Sequence, residues 1–117
     1  VRDSRANKRI LTKWLKERSA SIFADRLVVV LKAFPYKIEP AITVKNMEKR
    51  WGSFTGQKRI ILNSKLIHAS KDCIDYVITH ELCHFKYKKH NNAFYRLLGG
   101  KCPNWEKVKE KLETRYL

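Results

Sequence analysis

The chain has 117 residues, 44% of them hydrophobic, with four glycines and three prolines; this excludes disordered and fibrous classes and leaves room for one domain, 1–117. Its formal charge is +15, from 26 basic and 11 acidic side chains, which favours encounter with polyanions and makes a nucleic acid or a nucleotide a candidate partner. No apolar run approaches the ~20 residues of a membrane span, the first residues are charged with no signal-like stretch, and Cys73, Cys83 and Cys102 show no CxxC spacing, so a reducing, cytoplasmic setting with no membrane partner is expected.

Residues 3–33 carry a helical pattern. Leu11, Trp14, Leu15, Ile22, Phe23, Leu27, Val30 and Leu31 approximate one apolar stripe, Lys and Arg fill the other face, and nothing breaks the run before Pro35. Asp3 or Ser4 can cap its start; whether it is one helix or two with a bend near Ser19–Ser21 is open at this level. Basic residues crowd positions 2–18, seven against two acidic, and recur at Lys86, Lys88 and Lys89.

From Pro40 to Asn63 the character changes. Ala41–Val44, Arg50–Phe54 and Ile60–Leu62 are short and β-inclined, with turn chemistry at Thr55–Gly56–Gln57. A hairpin with a short return strand is expected, in a sheet of about three strands. Ser70 can cap the next helix, from Lys71 to about Lys88. Two further helices follow near Asn92–Leu98 and Asn104–Tyr116, divided by Gly99–Gly100 and Pro103.

The chemistry concentrates in His80-Glu81-Leu82-Cys83-His84, an H-E-x-x-H on a predicted helix. Imidazoles at i and i+4 share a face and can bind one Zn²⁺, and the Glu beside the first His is placed to serve as general base. At ~100° per residue, Cys73, Val77, His80 and His84 form one arc. Ile74, Ile78, Leu82 and Phe85 form a second, for the core, and Asp72, Asp75, Thr79 and Lys86 a third, for solvent. A pair of structural histidines leaves Glu81 unexplained, so the metal reading is preferred.

A catalytic zinc needs a third protein ligand. His90 lies six residues past His84; on a continuous helix it would be ~9 Å further along and off the histidine face. The helix must therefore end near Lys88–Lys89 and the chain fold back. Glu106 and His68 are rival third ligands, with His90 preferred on spacing.

Arg50-Trp51-Gly52-Ser53, Ile61-Leu62-Asn63, Tyr76 through His84 and His90-Asn91-Asn92-Ala93-Phe94-Tyr95 occur in that order. Together they resemble the YgjP-like metallopeptidase family, which is related to the SprT-like zinc proteases. The resemblance implies a zincin-like α+β fold, with a long N-terminal helix, a small sheet, an active-site helix and two C-terminal helices. It also implies one zinc on His80, His84 and His90, a catalytic Glu81, and a peptide or protein substrate. Phe54 stands where the family usually has Cys, so that Cys is not required here.

Around this centre, Arg50 is a candidate for an oxyanion, carboxylate or phosphate contact. Trp51 and Gly52 are expected to shape a tight strand edge. Tyr87 and Tyr95 are candidate oxyanion donors competing with simple packing roles, Asn63 a candidate second-layer partner of a ligand histidine, and Cys83 is expected buried and inert. The preferred function is zinc-dependent hydrolysis of peptides. The alternatives are a metal-dependent nucleotide phosphohydrolase and, last, a zinc-stabilised nucleic-acid-binding module. Oligomeric state is not legible.

Overall fold

The computed structural model describes residues 4–37, 39–55 and 58–116. Helix α1, Ser4–Leu31, is one unbroken helix of 28 residues; no glycine or proline interrupts it, and it runs through Ser19–Ser21 rather than dividing in two there. Its last turn tightens through Ala33 N–H to Val30 O and Phe34 N–H to Leu31 O, at 3.1 and 3.0 Å, just ahead of Pro35. Of the start-cap candidates, Asp3 lies outside the described residues and Ser4 is already helical.

The expected single stripe along α1 is buried only in its second half. Ser19, Phe23 and Leu27, spaced by four, face the core. Leu11 and Trp14 are 63% and 54% exposed, because the first half of the rod projects past the body and nothing among the described residues covers it. The molecule is accordingly elongated, 57 × 31 × 22 Å.

Strands β1 (Ala41–Lys45), β2 (Gly52–Thr55) and β3 (Arg59–Asn63) form a sheet of order β1-β3-β2. The hairpin joins β2 and β3, with Phe54 opposite Ile60 and Gly52 opposite Leu62. Of its turn, Gly56 and Gln57 lie outside the described residues, and Lys58 closes it at φ 59°. Strand β1 pairs in parallel with β3, Val44 opposite Leu62, so β2 is left with one unpaired edge. Central β3 buries Ile60 and Leu62 completely.

A 3₁₀ turn, Ser64–His68, leads to α2, Lys71–Cys83. Ser70 occupies the N-cap position, but its hydroxyl turns to Asp72 Oδ1 and Cys73 Sγ rather than to a backbone N–H. Helix α2 is the hub of the molecule. Cys73, Ile74, Tyr76, Val77, Ile78, Thr79, Glu81, Leu82 and Cys83 are all buried, against the sheet on one side and α1, α3 and α4 on others. Of the solvent arc expected for it, Asp72 and Lys86 are exposed and Asp75 is half-buried; Thr79 is closed off, its Oγ1 donating to Asp75 O at 2.7 Å, and Asp75 accepts two bonds from Arg26 of α1, at 2.8 and 2.7 Å.

Helix α3, Asn92–Lys101, runs through both glycines that were expected to end it. Pro103 stops it instead, holding Cys102 out of the helical region at φ −137°, ψ 82°. Helix α4, Trp105–Arg115, buries Val108 and Leu112 against the hub. Among the described residues no helix is long and apolar enough to cross a membrane.

Candidate active site

The active-site helix ends earlier than its pattern suggests, at Cys83 rather than Lys88. From His84 the chain tightens into i→i−3 bonds: His84 N–H to Glu81 O at 3.1 Å and Phe85 N–H to Leu82 O at 3.1 Å. Tyr36 reinforces this end, its hydroxyl donating to Leu82 O at 3.1 Å while its ring stacks between Phe34 and Phe85. The early stop swings residues 84–90 back across the end of α2. Asn91 then caps α3, accepting from Phe94 N–H at 3.0 Å, and this fixes His90 on the residue before the cap.

The result is a compact triangle. His80, His84 and His90 each offer a ring nitrogen, and these atoms all lie within 4.8 Å of one another. Glu106 and His68, the rivals for the third position, are both exposed and outside this group. Phe94 is fully buried beneath the triangle, its ring centroid 5.1, 4.7 and 4.8 Å from those of His80, His84 and His90. This supporting residue was missed at the level of sequence, although its place one helical turn past His90 could have signalled it.

The proton of His84 is directed outward. His84 Nδ1 lies 3.0 Å from Tyr87 O, so it donates there and leaves the Nε2 lone pair inward. That Nε2 is 3.0 Å from His90 Nε2, where two lone pairs repel unless a proton or a cation lies between them. Partial burial, with His80 and His84 nearby, pushes the pKa of His90 down and favours the neutral, ligating ring. Three imidazoles with converging nitrogens form a donor set suited to a borderline-soft divalent cation such as Zn²⁺.

Glu81 is 5% exposed, with Oε2 3.2 Å from His80 Nδ1. It sits where β2 crosses α2 most closely. A Cβ on Gly52 would come 2.9 Å from Val77 Cγ1 and 3.1 Å from Glu81 Oε2, so glycine is the residue that lets the strand reach the carboxylate. The Trp51–Gly52 stretch does shape the strand edge.

Histidines and glutamate form the floor of a cleft of about 700 Å³, walled by Trp51, Phe54, Tyr76, Val77 and Leu112. Arg50 lines it. Tyr87 and Tyr95 do not: Tyr87 contributes its carbonyl to His84, and Tyr95 stacks on Trp105 at 5.3 Å. The tyrosine that does line the cleft is Tyr76, whose hydroxyl pKa is raised by burial, on the same face of α2 as His80. Asn63 meets no ligand histidine either. Its side chain accepts from Lys65 N–H at 3.0 Å and donates to Met47 O and Arg50 O at 2.7 and 2.8 Å, stapling the loop that enters β2. Cys83 is fully buried, and burial pushes its thiol up to about 12, which makes it inert.

Among the described residues, four helices surround a small mixed sheet, with His80 on the central helix and His84 at its end, a zincin-like α+β fold. Two solved structures share it. The metallopeptidase zymogen of Pyrococcus abyssi abylysin matches with a TM-score of 0.72 and 16% identity, covering 80% of this chain and 93% of that one. The metallopeptidase zymogen of Methanocaldococcus jannaschii jannalysin matches with a TM-score of 0.62 and 27% identity, covering 77% of this chain and 96% of that one. No curated protein matches the sequence. Residues 2–115 match the family described as YgjP-like, metallopeptidase domain, and the chain belongs to that family.

Proposed function

We propose that the protein is a zinc-dependent peptidase holding one ion on His80, His84 and His90, with Glu81 as general base and acid. The observation that carries this reading is the buried Glu81 carboxylate beside three converging imidazoles, at the floor of a cleft open to an unpaired strand edge. What the ion supplies when bound is Lewis acidity toward a carbonyl oxygen and a lowered pKa for water. The substrate backbone lies along β2, where the strand's outer N–H and C=O groups have no partner in the sheet, and pairs with it as an added strand. Side chains of the substrate then fall alternately against Trp51, Phe54 and Leu112 and toward solvent.

Glu81 performs the proton transfer. It takes a proton from the attacking water as the water oxygen bonds to the carbonyl carbon, and delivers that proton to the amide nitrogen as the C–N bond breaks. Its burial at the base of the cleft, held by Gly52 and His80, fixes the carboxylate in one place for both steps.

The test is hydrolysis of a peptide library and of nucleoside triphosphates by protein stripped with a chelator and then reloaded with Zn²⁺. Peptide cleavage that disappears on stripping and returns with zinc is the expected outcome. Triphosphate hydrolysis without peptide cleavage would favour the phosphohydrolase reading. His90→Ala should lose zinc and Glu106→Ala should keep it; retention in His90→Ala would reassign the third ligand.

A further inference from the structure

The charged side chains lining the cleft, apart from the three histidines and Glu81, are Lys49, Arg50, Lys88, Lys109 and Glu113. Four are cations. The one anion faces Lys109 at 4.0 Å, while Lys49, Arg50 and Lys88 pair with no carboxylate among the described residues. A chain of charge +15 scatters cations everywhere, so number alone decides nothing. What distinguishes these four is convergence from three separate elements onto one apolar-walled cleft.

Each is held there by buried structure. Lys49 and Arg50 ride on the loop that Asn63 staples through Met47 O and Arg50 O, with Asn63 N–H also donating to Trp51 O at 2.9 Å. Lys88 lies on the bend between Tyr87, tied to His84, and His90. Lys109 follows buried Val108 and precedes buried Leu112 on α4. All four side chains are exposed and can meet a ligand, Lys109 by leaving its exposed partner Glu113.

We propose that this cleft selects acidic peptide segments. Aspartate or glutamate side chains flanking the scissile bond reach Lys49, Arg50, Lys88 or Lys109 while the backbone lies along β2. The inference rests on the peptidase reading above and adds the charge class of its substrate. An exposed ion pair gives about a 1.4- to 5-fold gain, so two or three together give roughly tenfold. The effect acts by attraction before chemistry, lowering KM more than it raises kcat. Exposed charges are screened within about 8 Å at physiological ionic strength and about 3 Å at 1 M, so the preference fades with salt.

The experiment compares three quenched-fluorescence peptide libraries of equal length, with acidic, neutral or basic flanks, on zinc-loaded protein at low and high salt. The acidic-to-neutral ratio of kcat/KM should be about tenfold at low salt and approach one near 1 M. The Lys49→Glu, Arg50→Glu double variant and the separate Lys109→Glu variant, each checked for zinc content and melting temperature, should lower that ratio, the double variant the more. Cleavage at equal rates across the libraries, or a ratio unmoved by charge reversal, would overturn the acidic preference and leave the peptidase reading standing. Equal rates together with inhibition by single-stranded DNA would assign the cations to a phosphate backbone and overturn it equally. No cleavage of any library contradicts the peptidase reading, and the preference with it.

Discussion

Glu81 can stand beside His80 only because the strand above it lacks a side chain at position 52. With Val77 Cγ1 2.9 Å and Glu81 Oε2 3.1 Å from an added Cβ, Gly52→Ala must displace both of them. The 2.9 Å contact falls on Val77, buried and β-branched with little room to turn, so Val77 and the strand must shift, and the carboxylate gives by a few tenths of an ångström. A full ångström of misplacement costs about a hundredfold in a positioned reaction, so the smaller push on the carboxylate costs less, while the overpacking costs about 1–3 kcal/mol of stability. Gly52→Ala should therefore retain zinc, melt at a lower temperature and lose peptide hydrolysis by up to about tenfold; wild-type turnover and stability would show that the close approach is incidental. The sequence spells out His80, Glu81 and His84 because their relation is local, one turn of one helix. It marks Gly52 as a tight strand edge but not its closeness to Glu81, and it does not show the loop that Asn63 staples or Phe94 against the histidines, since those roles exist only where a strand, a loop and a second helix meet α2. Tyr87 and Tyr95 misled for the same reason, since nearness in sequence to His84 and His90 does not aim a hydroxyl into the cleft.

At the scale of elements, helix ends decide the site. Had α2 continued to Lys88, His90 would point away from His84; the i→i−3 tightening at His84 and the Asn91 cap bring it back. The need for a fold-back is legible from the spacing, whereas the stopping point is not, because it depends on Tyr36 bonding Leu82 O from a distant loop. The other end of α2 makes a pH-dependent clamp. The Ser70 hydroxyl, followed by Lys111 of α4 at 3.3 Å, holds the Asp72 carboxyl below its usual value, with burial opposing. A folded-state pKa below the unfolded one gives stability that is present above about pH 4 and lost as pH falls through the folded value. Asp72→Asn should thus lower stability at pH 7 by less than about 1 kcal/mol, since the pair is partly exposed, and the gap between variant and wild type should close toward pH 2. Denaturant melts at the two pH values check this, and a constant gap would contradict it.

At the scale of the whole molecule, the fold is a small body with a rod projecting from it. Periodicity identifies the rod correctly as a helix but not where it ceases to be covered, because Leu11 and Trp14 have the same spacing as the residues that pack. Between residues 7 and 16 every side chain is exposed except Leu15, which is half-buried. Deleting residues 1–16 should change the folding free energy by no more than about 1 kcal/mol. Phe23→Ala, in the covered half, should cost about 3–5 kcal/mol. A deletion as damaging as Phe23→Ala would mean that the rod is stabilised by contacts along its first half.

The central claim is that Glu81 moves the proton at a zinc held by three histidines. It is tested most directly by measuring zinc content and peptide turnover together in wild type and Glu81→Gln. The glutamine fills the same space but cannot take the proton. The variant should therefore carry one zinc per chain, melt like wild type, and turn over peptide at least ~10²-fold more slowly. Full zinc occupancy with wild-type turnover would contradict the account.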